Sequence, residues 1–125
     1  MSLSVDVFVV GADDERTLLD VPEGSSDVAG FERWRTSVWG SEALRSLGAR
    51  FFPMLAGGDL TVAPDQVADF LAECALIRSN LELVASSTDP AKSHGEYVRQ
   101  ISERLRNIED AAERARSVRG GVIIW

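Results

Sequence analysis

The chain is predicted to fold as one small α+β domain. A sheet whose first and last strands pair is covered by a long antiparallel helix pair and a shorter N-terminal helical segment. Three observations predict this. LSVDVFVV, residues 3–10, alternates Leu3, Val5, Val7 and Val9 with Ser4 and Asp6, the period of a strand with one buried face. VIIW, residues 122–125, is a short apolar run directly after Gly120-Gly121. Between these ends lie two long stretches, from Pro64 to about Ala85 and from about Ser93 to Val118, whose apolar residues recur every three or four positions. With 125 residues, 45% hydrophobic and 26% charged, the chain has the size and composition of a single globular domain spanning 1–125.

Taken in order, Gly11 to Glu15 reads as a turn after the first strand, and TLLDV (17–21) as a return strand that Pro22 stops. PEGSS (22–26) is a loop by composition. A helix is expected from about Asp27, because Phe31, Trp34 and Val38 fall at helical spacing until Gly40 interrupts them. Ser41-Glu42 restarts a short helix that Gly48 ends. ARFFPMLAGG (49–58) fits neither helix nor central strand, because Pro53 lacks an N–H and Gly57-Gly58 marks a turn.

DLTV (59–62) is expected to be extended, ahead of Pro64 at a first helical position. The helix that follows carries Val67, Phe70, Leu71, Cys74, Ile77, Leu81 and Val84 on one stripe over about five turns. SSTDPAKS (86–93) is a loop, with Ser93 and Glu96 spaced as a capping box and Asp89-Pro90 as a second possible start. The last helix places Tyr97, Ile101, Leu105, Ile108, Ala112, Ala115 and Val118 on its apolar stripe. An unpaired strand of Val, Ile, Ile and Trp would be prone to aggregation, so residues 122–125 are expected to pair with residues 3–10.

Charge is segregated along the chain. Residues 1–32 hold eight acids against Arg16, whereas residues 33–58 hold four arginines against Glu42, within a net charge of −7. That sign disfavours nucleic acid as a partner and favours a basic one. No apolar run is long enough to cross a bilayer. The N-terminus lacks the basic and apolar regions of a signal peptide, and a single cysteine makes no internal disulfide, so a cytoplasmic location is expected.

Residues with chemistry are sparse. Cys74 falls on an apolar stripe and reads as a buried thiol. His94 falls in the first turn of a helix, where a polar residue is ordinary. Asp13-Asp14-Glu15 fits no calcium-loop spacing, Glu73 and Glu82 lack the histidines of a di-iron pair, and the glycine pairs match no phosphate-binding loop. No metal and no cofactor is therefore predicted, and catalysis is not indicated.

The densest chemistry is FERWRTSVWG, residues 31–40. Trp34 and Trp39 lie five apart, about 140° around an α-helix, so they are not expected both at the centre of one buried stripe: Trp34 belongs to the core side, and Trp39, at the break before Gly40-Ser41, is either in the core or partly exposed. Arg35 and Trp39 share a helix face, where an arginine can stack on an indole, and both residue types are enriched at binding hot spots. Arg35 and Trp39, with the acidic turn Asp13-Asp14-Glu15, are thus the candidate partner-binding residues.

In size, charge and mixed architecture the chain resembles the immunity proteins that neutralise bacterial toxins, many of which block a basic active site with carboxylates. The likeness implies a non-catalytic protein that binds a basic protein partner. One alternative is a small enzyme or ligand-binding domain holding an anionic small molecule between sheet and helices through Arg35, Arg50 and Tyr97. A third is a homo-oligomeric regulatory module, a homodimer formed through a sheet edge or the charged last helix.

Overall fold

A computed structural model describes residues 2–86 and 94–125. Its centre is a five-stranded antiparallel sheet. The long first strand, β1 (Ser2–Val10), is flanked on one side by two short strands placed end to end, β2 (Arg16–Leu18) and β3 (Val28–Phe31). On its other side lies β5 (Gly121–Ile124), which in turn pairs with the edge strand β4 (Leu60–Val62). First and last strands are therefore paired as their composition predicts. The register sets Val5 against Ile124 and Val7 against Val122, and Ser4 and Trp125 exchange backbone hydrogen bonds beyond it.

Because side chains alternate between faces, this register sends Leu3, Val5, Val7, Val122, Ile124, Leu60 and Val62 to one side, where all are buried. The helices pack on that side. Strand β2 is shorter than the predicted 17–21 and wholly exposed, as befits an edge.

The helix expected from Asp27 does not form there. Val28 and Gly30 are paired with Ser4 and Leu3, so residues 28–31 are drawn into the sheet, where the long-range ladder overrides the local periodicity. Gly30 makes this possible. Its φ of +127° is open only to glycine, and a Cβ there would stand 2.6 Å from the Trp34 ring.

Helical structure begins only afterwards, as a π-helical turn at Arg35–Trp39. An i→i+5 turn is wider than an α-turn, so residues five apart return toward one side. Trp34 and Trp39 consequently meet edge to face, ring centroids 5.8 Å apart, and both are fully buried.

The short helix α1 (Glu42–Leu47) starts as predicted, with the Ser41 hydroxyl accepting from the Leu44 N–H, and ends at Gly48. The ambiguous stretch becomes a 3₁₀ turn, Phe52–Ala56. A second 3₁₀ turn, Pro64–Gln66, leads into α2 (Val67–Arg78).

The five-turn helix predicted from Val67 to Val84 is two helices, α2 and α3 (Leu81–Ser86). At the joint the Asn80 side-chain amide donates to the Leu76 carbonyl, the acceptor that the Asn80 N–H would take in a continuing helix, and that N–H turns to the Ile77 carbonyl instead. The last helix, α4 (His94–Ser117), lies across the sheet and packs against α2 and α3. Arg78 ties α2 to α4 through Glu109, at 2.6 Å, and Ser102. The predicted capping pair Ser93–Glu96 and the Asp89-Pro90 start involve positions outside the described residues.

Candidate functional site on the open face of the sheet

The face of the sheet turned away from the helices carries exposed apolar side chains, as do the 3₁₀ turn at Met54 and α3 at Leu83. Alternation places Asp6, Phe8 and Val10 of β1 on it, and the register adds Arg16 and Leu18 of β2, Thr61 of β4 and Ile123 of β5. Trp125 continues this face beyond β5. Val10, Leu18 and Trp125 are 45%, 46% and 45% exposed.

The face is ordered by its own contacts. Trp125 Nε1 donates to Asp6 Oδ2 at 2.9 Å, which holds the indole over the sheet, and the Arg16 guanidinium lies 4.9 Å from the centre of the Phe8 ring. Phe8 is buried, although it stands apart from the main core.

Immediately beyond Val10 and Arg16 comes the acidic turn. Gly11 N–H donates to the Glu15 carbonyl at 2.8 Å and Asp14 N–H to the Gly11 carbonyl, while Asp13 Oδ1 accepts from Glu15 N–H. These bonds close a tight turn with Asp14 in the left-handed region, at φ 62°. Asp13, Asp14 and Glu15 are all exposed. Three carboxylates are thereby presented at one end of the sheet on a backbone fixed by hydrogen bonds.

The other residues singled out from the sequence lie elsewhere. Trp39 is corrected as a surface anchor: it is 0% exposed, its Nε1 donates to the Ala29 carbonyl at 2.9 Å, and its ring packs on Phe52. Arg35 is engaged inside the structure. Its Nε donates to Glu32 at 2.6 Å, one terminal nitrogen to the Gly58 carbonyl at 2.5 Å and the other to Asp59 at 3.1 Å. That fork clamps the π-helical turn to the segment before β4.

Arg35, Arg50 and Tyr97 do not converge as an anion site would require. Tyr97 is buried with its ring stacked on Trp34, and the Arg50 backbone N–H is bound to Glu73. Arg50 lines clefts beside Asp69 rather than the other two.

Cys74 is buried, and burial first, then Glu109 and Glu73, pushes its thiol pKa well above the ordinary value. His94 opens α4, but its side chain is outside the described residues. Among the described residues no group of three His, Cys, Asp or Glu is placed to hold a metal ion, and no helix is long and apolar enough to cross a membrane.

Two features went unseen in the sequence. One is the open face itself, whose signal was present in the apolar odd-out members of the strands: Phe8 and Val10 in β1 and Ile123 and Trp125 around β5. The other is a cleft of about 360 Å³ between β3 and α4, lined by Ser26, Val28, Glu103, Arg104, Arg106 and Asn107. Beside it the guanidinium groups of Arg33 and Arg104 lie 4.9 and 5.6 Å from the Phe31 ring centre. No protein-family model, no curated protein and no solved structure matches the chain.

Proposed function

We propose that the chain is a non-catalytic binding protein of the immunity type, acting in the cytoplasm, which occupies the basic surface of a protein partner. The observation that supports this most directly is the exposed, hydrogen-bonded turn that carries Asp13, Asp14 and Glu15 on a protein of net charge −7. Charge clustered at a projecting, ordered turn strengthens attraction to an opposite surface and raises the encounter rate.

The test begins with capture of partners from the source lysate at low salt, followed by kinetics on the partner recovered. Replacing the three acids with amides (Asp13→Asn, Asp14→Asn, Glu15→Gln) is expected to slow association and flatten its salt dependence, with little effect on folding. An acidic partner, or association rates unchanged by the triple variant, would sink the reading.

A further inference from the structure

The acidic turn supplies steering but no anchor, since Trp39 is in the core. An interface normally centres on apolar and aromatic side chains that lose their water, with charge at the rim. On the open face of the sheet Val10 and Leu18 flank Phe8 beneath Arg16, and further along β1 the part-buried Ile123 and the exposed Trp125 flank Asp6, so apolar side chains run the length of the face. Asp6 lies within this face and Asp13, Asp14 and Glu15 stand at its end.

The Trp125 indole is already oriented by Asp6. A ring fixed before binding forfeits less rotamer entropy when a partner covers it.

Resting on the reading of the chain as a binding protein, we propose that this open face is the docking surface for a basic segment of the partner. The segment lays apolar side chains on Leu18, Ile123 and Trp125 and directs lysines or arginines to Asp6 and the acidic turn. Charge decides against a second copy of the chain as the occupant. The face and its turn carry Asp6, Asp13, Asp14 and Glu15 against Arg16, so two copies face to face would bring together two surfaces of like sign, each from a protein of net charge −7, whereas a basic segment is attracted to the same carboxylates.

The experiment titrates the ¹⁵N-labelled chain, residues 1–125, with a short synthetic peptide alternating lysine and leucine, and with its glutamate–leucine counterpart. The lysine peptide is expected to shift the amides of Val10, Leu18 and Ile123, the Trp125 indole and the acidic turn, and the glutamate peptide to shift none of them. Leu18→Ser, at a site exposed enough to leave folding intact and without a change of charge, is expected to weaken the lysine peptide about tenfold, the size of one anchor's loss. Trp125→Ala is expected to do the same, with its melting curve checked because it also releases Asp6.

Shifts centred on the β3–α4 cleft, equal binding of both peptides, or no effect of Leu18→Ser would overturn the proposal. So would sedimentation showing a wild-type dimer that Leu18→Ser dissolves, which would make the face a self-interface. Kinetics on a captured partner separate this inference from the reading beneath it. A triple-amide effect with Leu18→Ser silent overturns this anchor and keeps the binding reading, whereas a silent triple variant overturns the reading beneath it, whatever Leu18→Ser does.

Discussion

Glu73 is the one buried charged residue among the described residues, and its carboxylate accepts from the backbone N–H groups of Arg50, Phe51 and Phe52 at 2.6 to 3.1 Å. Those donors head the 3₁₀ turn Phe52–Ala56, where no earlier carbonyl can serve them. The side chain thus fastens the turn to α2, and the turn in turn brings Phe52 onto Trp39 and Phe70. Glu73→Ala leaves these N–H groups without a partner and is expected to cost on the order of 3 kcal/mol in urea unfolding, with Glu73→Gln intermediate. A Glu73→Ala variant as stable as wild type would show the contact to be incidental. The sequence carried the signal: Glu73 is three residues after Phe70 and four before Ile77, on the apolar stripe itself. Cys74 on that stripe was legible as a buried thiol. Its raised pKa keeps it protonated at neutral pH, so thiol reagents should label the native protein slowly and the denatured protein fast. Fast native labelling would contradict both its burial and its protonation. Trp39 was not legible, because the 140° argument assumes an α-helix and the chain makes a π-helical turn there.

At the scale of elements, what could be read from the sequence was whatever local pattern and pairing both favour. Strands β1 and β5 are apolar, bounded by glycines or turns, and each satisfies the other's open edge. Removing residues 122–125 strips fully buried Val122 and Ile124 from between β1 and β4. At about 1.5–3 kcal/mol for each such side chain, the truncated chain is expected to lose about 3–6 kcal/mol. An unchanged melting temperature would place β5 outside the cooperative core. Strand β3 shows the opposite case. Its residues have helical spacing, and only the long-range ladder to β1, together with the positive φ of Gly30, makes them a strand. Gly30→Ala is therefore expected to destabilise by about 1–3 kcal/mol, from backbone strain and the clash with Trp34. In the helix predicted from Asp27 the same change would have stabilised, since alanine is the better helix former. Its sign, read from denaturant midpoints, separates the two structures.

Across the whole molecule the two faces of the sheet divide the labour. The inner face and the helices hold the buried apolar core, while the outer face combines three half-exposed apolar side chains with an acidic turn at one end. The acidic turn was legible, since Asp13-Asp14-Glu15 falls between two runs of strand-forming residues. Its apolar neighbours were not: that Val10 and Leu18 stand on the open side beside it follows only from the register of β1 with β2. The division makes the two parts separable by salt. Carboxylates at a rim act over a distance that shrinks to about 8 Å at physiological ionic strength, whereas apolar contact is insensitive to modest salt. Raising salt from low to physiological concentration is accordingly expected to slow association of the wild-type protein with a basic partner and to leave dissociation nearly unchanged. The triple amide variant should associate slowly at both salts, and Leu18→Ser should dissociate faster at both. Dissociation that accelerates with salt to the same degree as association slows would mean that charge, not the apolar face, holds the complex together.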